Sequence, residues 1–220
     1  MFEAYHTPPD YMTFWHLGAR MGIGPVVRFL RRMRRMGAST LLDVGCGGGS
    51  NALLAAWNGF DVTACDVSID GLKALRDVAC HSRGSPKIRM VQCDSCAMPA
   101  AGASCDVVIA SHIIEHLDEP RALLEESARI LRPGGVLRLS CPSRRHAMRI
   151  GRRLGLRLDP ADHKVLGYSS GEIEAMLPKG LVIQRVTYQG RFFESNFSDI
   201  QHLVARKLGL AGNPAVRSNG

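Results

Sequence analysis

The sequence predicts an α/β protein built on a doubly wound, mostly parallel sheet. Short β-branched or apolar runs alternate with helical segments along most of the chain. The first run, "TLLDV", ends in a glycine-rich turn that opens a helix. The 220 residues, 45% of them hydrophobic, suffice for one sizeable core without internal repeats.

The elements follow in order. Residues 1–38 read as an N-terminal extension ending in a basic amphipathic helix, because Val26, Phe29, Leu30, Met33 and Met36 fall at helical spacing between arginines. Pro25 suits its first turn and Gly37 its stop. Strand 40–44, helix 50–58, strand 61–65 and helix 69–80 come next, with Ser68 placed to cap the last of these. "KIRMVQC" and "DVVIASHI" read as strands on either side of a loop. Helix 119–131 stops at "RPGG", and strand 136–140 closes the regular part.

Beyond Pro142 the chain is basic and punctuated by glycine. "SSGEIEAML" then reads as a capped helix, "LVIQRVTYQGRFF" as two strands around Gly190, and 198–208 as a final helix. The expected division is an extension at 1–38, one domain at 39–210 with a basic segment at 142–169, and a disordered tail at 211–220.

Composition narrows the function classes. No apolar run approaches the roughly 18 to 20 residues of a membrane span, and the N-terminus lacks the basic and apolar regions of a signal peptide. The expectation is a soluble cytoplasmic protein. Seven cysteines are an odd number for disulfides, and the single C-x-x-C pair, Cys93 and Cys96, has no second pair at zinc-ribbon distance. No metal site is expected. The net charge of +8 gathers in two arginine groups, 28–35 and 144–157, which speaks to anionic partners.

The turn after the first strand suggests a ligand. Gly45, Gly47, Gly48 and Gly49 allow a close approach to the backbone, but Ser50 stands where a G-x-G-x-x-G dinucleotide turn needs glycine. Asp43 would repel a pyrophosphate and favours positive charge instead. Asp66, ending the second strand, is placed to accept from two ribose hydroxyls. A ligand with a cationic end and a ribose but no phosphate is S-adenosyl-L-methionine.

With these residues in view, the chain resembles the class I S-adenosylmethionine-dependent methyltransferases, in particular their small-molecule (type 11-like) branch, over about residues 38 to 142. "LLDVGCGGGS" is similar to motif I of that family, matched by Asp43, Gly45, Cys46, Gly47 and Gly49. "VTACDVS" is similar to motif II, with Asp66 and Val67, and "VQCDSCAMP" to motif III, with Asp94 and Ser95. "CDVVIASHIIEHLDEP" resembles motif IV, with Ser111 at its edge, and "ILRPGGVLRLSCP" the segment after it. The resemblance implies a Rossmann-like sheet of seven strands, S-adenosyl-L-methionine as cofactor and methyl transfer to a substrate nucleophile. His112 and His116 fall where motif IV borders the methyl site, and an imidazole there could serve an oxygen acceptor. Family members carry the Glu115–His116 pair for structural reasons too, so that reading of His116 stays open. His163 is similar to a histidine before the "Y-S/T-x-x-E" helix of quinone- and sugar-directed relatives and is a further candidate base.

The expected acceptor is a small or lipid-linked molecule methylated at oxygen: a glycan, an isoprenoid quinone or a related metabolite. Arg145, Arg149 and Arg152, at i, i+4 and i+7, would give a cationic lid suited to an anionic acceptor or to peripheral contact with an anionic membrane, or else a solvated face. An RNA- or protein-directed methyltransferase using its basic surface is the alternative. It ranks second because [DN]-P-P-[YFW] is absent at Ser111 to Ile114 and no RNA-binding module is appended. A non-methylating binding protein or an oxidoreductase is a third reading.

Overall fold

A computed structural model describes residues 24–82, 84–144, 164–165, 167–189 and 200–209. Among these residues seven strands form one sheet: β1 (Thr40–Val44), β2 (Asp61–Asp66), β3 (Ile88–Gln92), β4 (Cys105–Ser111), β5 (Leu131–Pro142), β6 (Leu181–Gln189) and β7 (Ile200–Lys207). Their order is β3-β2-β1-β4-β5-β7-β6. The helices are α1 (residues 24–35), α2 (Ser50–Trp57), α3 (Ile69–His81), α4 (Pro120–Ile130) and α5 (Ser170–Met176). No helix among the described residues is long and apolar enough to cross a membrane.

The chain divides into two compact units, residues 1–99 with 107–111, and residues 100–106 with 112–220. In the first, β1 pairs in parallel with β2 on one side and β4 on the other, and β2 pairs in parallel with β3. Strands covered on both faces favour apolar runs; Leu41, Leu42 and Val44 of β1 and Val107 to Ala110 of β4 are buried accordingly. β1 is flanked on opposite sides by β2 and β4, so chain order reverses there, the place where α/β sheets open a crevice at the strands' carboxyl ends. Ser68 caps α3 as expected, its hydroxyl accepting from Gly71 N at 3.2 Å. α1 buries Val26, Leu30 and Met33, whereas Met36, expected on that apolar face, is 52% exposed beyond the last turn.

In the second unit β7 runs antiparallel to both β5 and β6. This corrects the helix expected at 198–208. Gln201, Leu203 and Ala205 are buried while His202, Val204 and Arg206 are half-buried, a period of two that follows from pairing on both sides. The "RPGG" segment also departs from expectation: α4 ends at Ile130 and β5 starts at once, passing through Gly134 at φ 82°. In β6, Ile183 faces Ala205 and Arg185 faces Val204, so Gln184 is the extra residue of a bulge. α5 is capped as expected, by a box in which Ser169 Oγ accepts from Glu172 N and Glu172 in turn accepts from Ser169 N. The second strand expected after Gly190, most of the basic segment 142–169 (residues 145–163 and 166) and the tail 211–220 lie outside the described residues.

Candidate active site

In the first unit the glycine turn is tied to the end of β2. Gly45, Gly47 and Gly49 take φ of 62°, 49° and 79°, a region that L side chains rarely adopt. Cys46 N donates to Cys65 O at 3.0 Å, and Gly49 O accepts the first bond of α2 from Leu53 N at 2.9 Å. Asp66 holds the turn directly: Oδ2 accepts from Gly47 N at 2.7 Å and Oδ1 from Ser68 N at 2.8 Å. Two amides fix the carboxylate, and its remaining lone pairs are left for a ligand.

The space above this turn is open. A Cβ on Gly47 would meet no atom within 4 Å, although one on Gly71 of α3 would stand 3.1 Å from Gly47 O. Apolar Val67 and Ile69 are exposed beside Asp66. Asp94, also exposed, accepts at Oδ1 from Cys96 N at 2.8 Å, while Ser95 beside it is buried. Asp43 is 1% exposed within β1. Burial first, then the charges of Asp43 and Asp66, push the Cys46 thiol far above its ordinary range, so it stays protonated and does not act as a nucleophile. Burial, partly offset by the hydrogen bond with Cys65, and then the charges of Asp94 and Asp66 also raise the Cys93 thiol. The residues expected at the cofactor, from Asp43 through Asp94 and Ser95, thus form one group within this unit. Ser111 is half-buried at the end of β4.

In the second unit the strand expected to continue through Ile113 stops at Ser111. His112 turns the chain in the left-handed region, at φ 54°, and its N donates to Ser140 O at 2.8 Å. Its side chain is 45% exposed, with Nδ1 lying 3.2 Å from Oε1 of Glu115, whose side chain is fully buried. Lys164 N and Val165 N donate to the Glu115 carbonyl. His116 is half-buried in the short 3-10 turn Ile114–His116. His163 lies outside the described residues. Among those residues no three His, Cys, Asp or Glu are grouped to hold a metal ion.

Three members of this neighbourhood escaped the sequence reading. Glu115 carries the contact to His112. Arg138 and His202 lie side by side on β5 and β7, with Arg138 Nη2 3.2 Å from His202 Nδ1. Burial, then the charges of Arg138 and His112, lower the His202 pKa to about 4. Only the i, i+3 spacing of His112 and Glu115 was available as a signal.

The chain is similar to known methyltransferases. Residues 42–139 match the family model described as a methyltransferase domain. The chain is 30% identical over 180 residues to the ubiquinone biosynthesis O-methyltransferase of Caulobacter vibrioides, covering 75% of this chain and 70% of that protein. Against the protein of that name from Xanthomonas oryzae pv. oryzae it is 34% identical over 109 residues, spanning less than half (45%) of its length. Among solved structures, magnesium protoporphyrin IX methyltransferase from Synechocystis PCC 6803 with bound SAH aligns at a TM-score of 0.68 and 18% identity, covering 93% of this chain and 90% of that one. The PH0226 protein from Pyrococcus horikoshii aligns at 0.66, also 18% identical, with 90% and 92% covered. Identities this low speak for a shared fold alone.

Proposed function

Because the chain belongs to the class I S-adenosylmethionine-dependent methyltransferases, we propose that it methylates a hydroxyl group of a small organic acceptor, a phenol of the isoprenoid-quinone type. The observation that carries the oxygen assignment is the half-exposed His112 imidazole held by the buried Glu115 carboxylate. An acceptor that is already a free amine needs no base, whereas a hydroxyl must lose its proton. The likeness to ubiquinone biosynthesis O-methyltransferases supports the acceptor class.

The residues present fit the cofactor. Asp66 would take the ribose hydroxyls, Val67 and Ile69 would cover the adenine, and Asp94 with Ser95 would receive its polar edge. Gly45, Cys46, Gly47 and Gly49 would admit the ligand close to the backbone, with Asp43 supplying negative charge toward its amino-acid end. When bound, S-adenosyl-L-methionine supplies an electrophilic methyl group on a sulfonium. Glu115 Oε1 accepts from His112 Nδ1–H, which fixes the tautomer and leaves Nε2 bare to take the hydroxyl proton. The acceptor oxygen gains the methyl group, and the charge of the new imidazolium is balanced by Glu115.

The test is turnover with catechol and phenol acceptors, scored by S-adenosylhomocysteine release and a 14 Da gain in the product. His112→Ala should lower kcat/KM for a hydroxyl acceptor by about a hundredfold or more, the range for losing a general base. Glu115→Gln should cost less. Wild-type rates in His112→Ala, or methylation of RNA or amines in preference to phenols, would overturn the proposal.

A further inference from the structure

One face of α1 is committed to the first unit by Val26, Leu30 and Met33. On the opposite face Arg28, Arg31, Arg32 and Arg35 follow at i, i+3, i+4 and i+7, all of them exposed. That spacing makes one continuous stripe about 10 Å long at the helical rise. None of the four forms an ion pair with a described residue, and no Asp or Glu occurs between Gly24 and Thr40. Arg34, on the flank, is different: its Nη1 donates to Ala38 O at 2.7 Å, and its guanidinium sits 5.4 Å from the centroid of the Phe60 ring. Among the described residues, one arginine of the helix is thus held by the fold and four are exposed without an ion pair.

Exposed apolar side chains lie near the C-terminal end of α1. Met36 is 52% exposed directly after α1, and Trp57 is 44% exposed. Trp57 stands two residues before Gly59, where a Cβ would lie 3.7 Å from Arg34 Nε. Four concentrated guanidinium groups repel one another unless an anionic surface meets them. A bilayer offers both halves of the match, anionic headgroups for the stripe and an apolar layer beneath them for a thioether and an indole. Duplex RNA offers phosphates without that layer.

We infer that α1 is a docking face for an anionic membrane, with Arg28, Arg31, Arg32 and Arg35 on the headgroups and Met36 and Trp57 at the apolar boundary. This does not depend on the acceptor proposed above. It also differs from the contact expected through Arg145, Arg149 and Arg152, which are other residues of the sequence and lie outside the described ones.

The experiment is flotation of the full chain with vesicles of phosphatidylcholine alone and of phosphatidylcholine mixed with phosphatidylglycerol. The wild type should bind only the mixed vesicles, and less as salt shortens the screening length. At roughly fivefold per arginine, changing all four to Gln should weaken that binding at least about a hundredfold. S-adenosylmethionine affinity and the melting temperature should stay at wild-type values, because the stripe touches neither site nor core. Should the fourfold variant fold poorly, Arg31→Gln with Arg35→Gln carries the same test, with a fall of about 25-fold. Wild-type protein that ignores anionic vesicles would overturn the inference. So would a variant that floats like wild type, or a stripe needed only for retaining duplex RNA.

Discussion

Asp66→Ala should damage two separable things. Without ligand, the carboxylate already accepts from Gly47 N and Ser68 N, so the substitution leaves two part-buried amides to be solvated. Hydrogen bonds to a charged group contribute about 1.5 to 3 kcal/mol each. Asp66 is half-exposed and water can replace part of that, so the low end applies and the loss in apo stability should be about 2 to 3 kcal/mol. Loss of the ribose contacts should add about 1.5 to 3 kcal/mol to the binding free energy, a weakening of roughly 10- to 150-fold. Urea unfolding without ligand reads the first quantity, and calorimetric titration with S-adenosylhomocysteine on the folded variant reads the second. Unchanged apo stability would refute the clamp between β2 and the glycine turn. Unchanged affinity would refute the ribose assignment while leaving the clamp intact.

Gly47→Ala should cost only about 1 to 2 kcal/mol of stability for a left-handed alanine, because its Cβ meets no protein atom. Its affinity for S-adenosylmethionine should nevertheless fall at least tenfold in the same titration, since the methyl group would enter the ligand's space. His202 supplies a pH dependence. Its pKa in the native protein is lowered to about 4, so between there and about 6.5 the unfolded chain binds the extra proton and stability falls as pH falls. Denaturant unfolding from pH 7 to pH 4 should therefore cost wild type up to about 3 kcal/mol more than His202→Gln, and parallel curves for the two proteins would count against a buried neutral imidazole.

The parallel half of the fold was legible because each of its signals is local. The run into Asp43, the glycines after it and the Ser68 cap all act within a few residues, and β1 through β4 and α3 fall close to where they were read. The segment at 200–207 was not. Its Leu203, Val204 and Lys207 suit a helix, while Gln201, Leu203 and Ala205 suit a strand, and only pairing with β5 and β6 decides between these. That one error hid the His202–Arg138 neighbourhood, which exists only once β7 lies beside β5. The sequence pointed to Asp66 for a ligand but did not show it as the clamp of its own turn, because a bond to Gly47 joins residues 19 apart. Glu115 was passed over for its neighbour His116, since burial of one carboxylate is a tertiary property.

The bulge at Gln184 has a consequence for how copies of this chain meet in a crowded solution. β6 lies at the border of the sheet, where backbone donors and acceptors would otherwise face outward at regular intervals and invite a foreign strand to zip alongside. An extra residue throws that spacing out of step part-way along and twists the strand locally. An incoming strand in register before Ile183 loses register after Arg185. The ladder that completes this molecule therefore makes a poor seed for the next one.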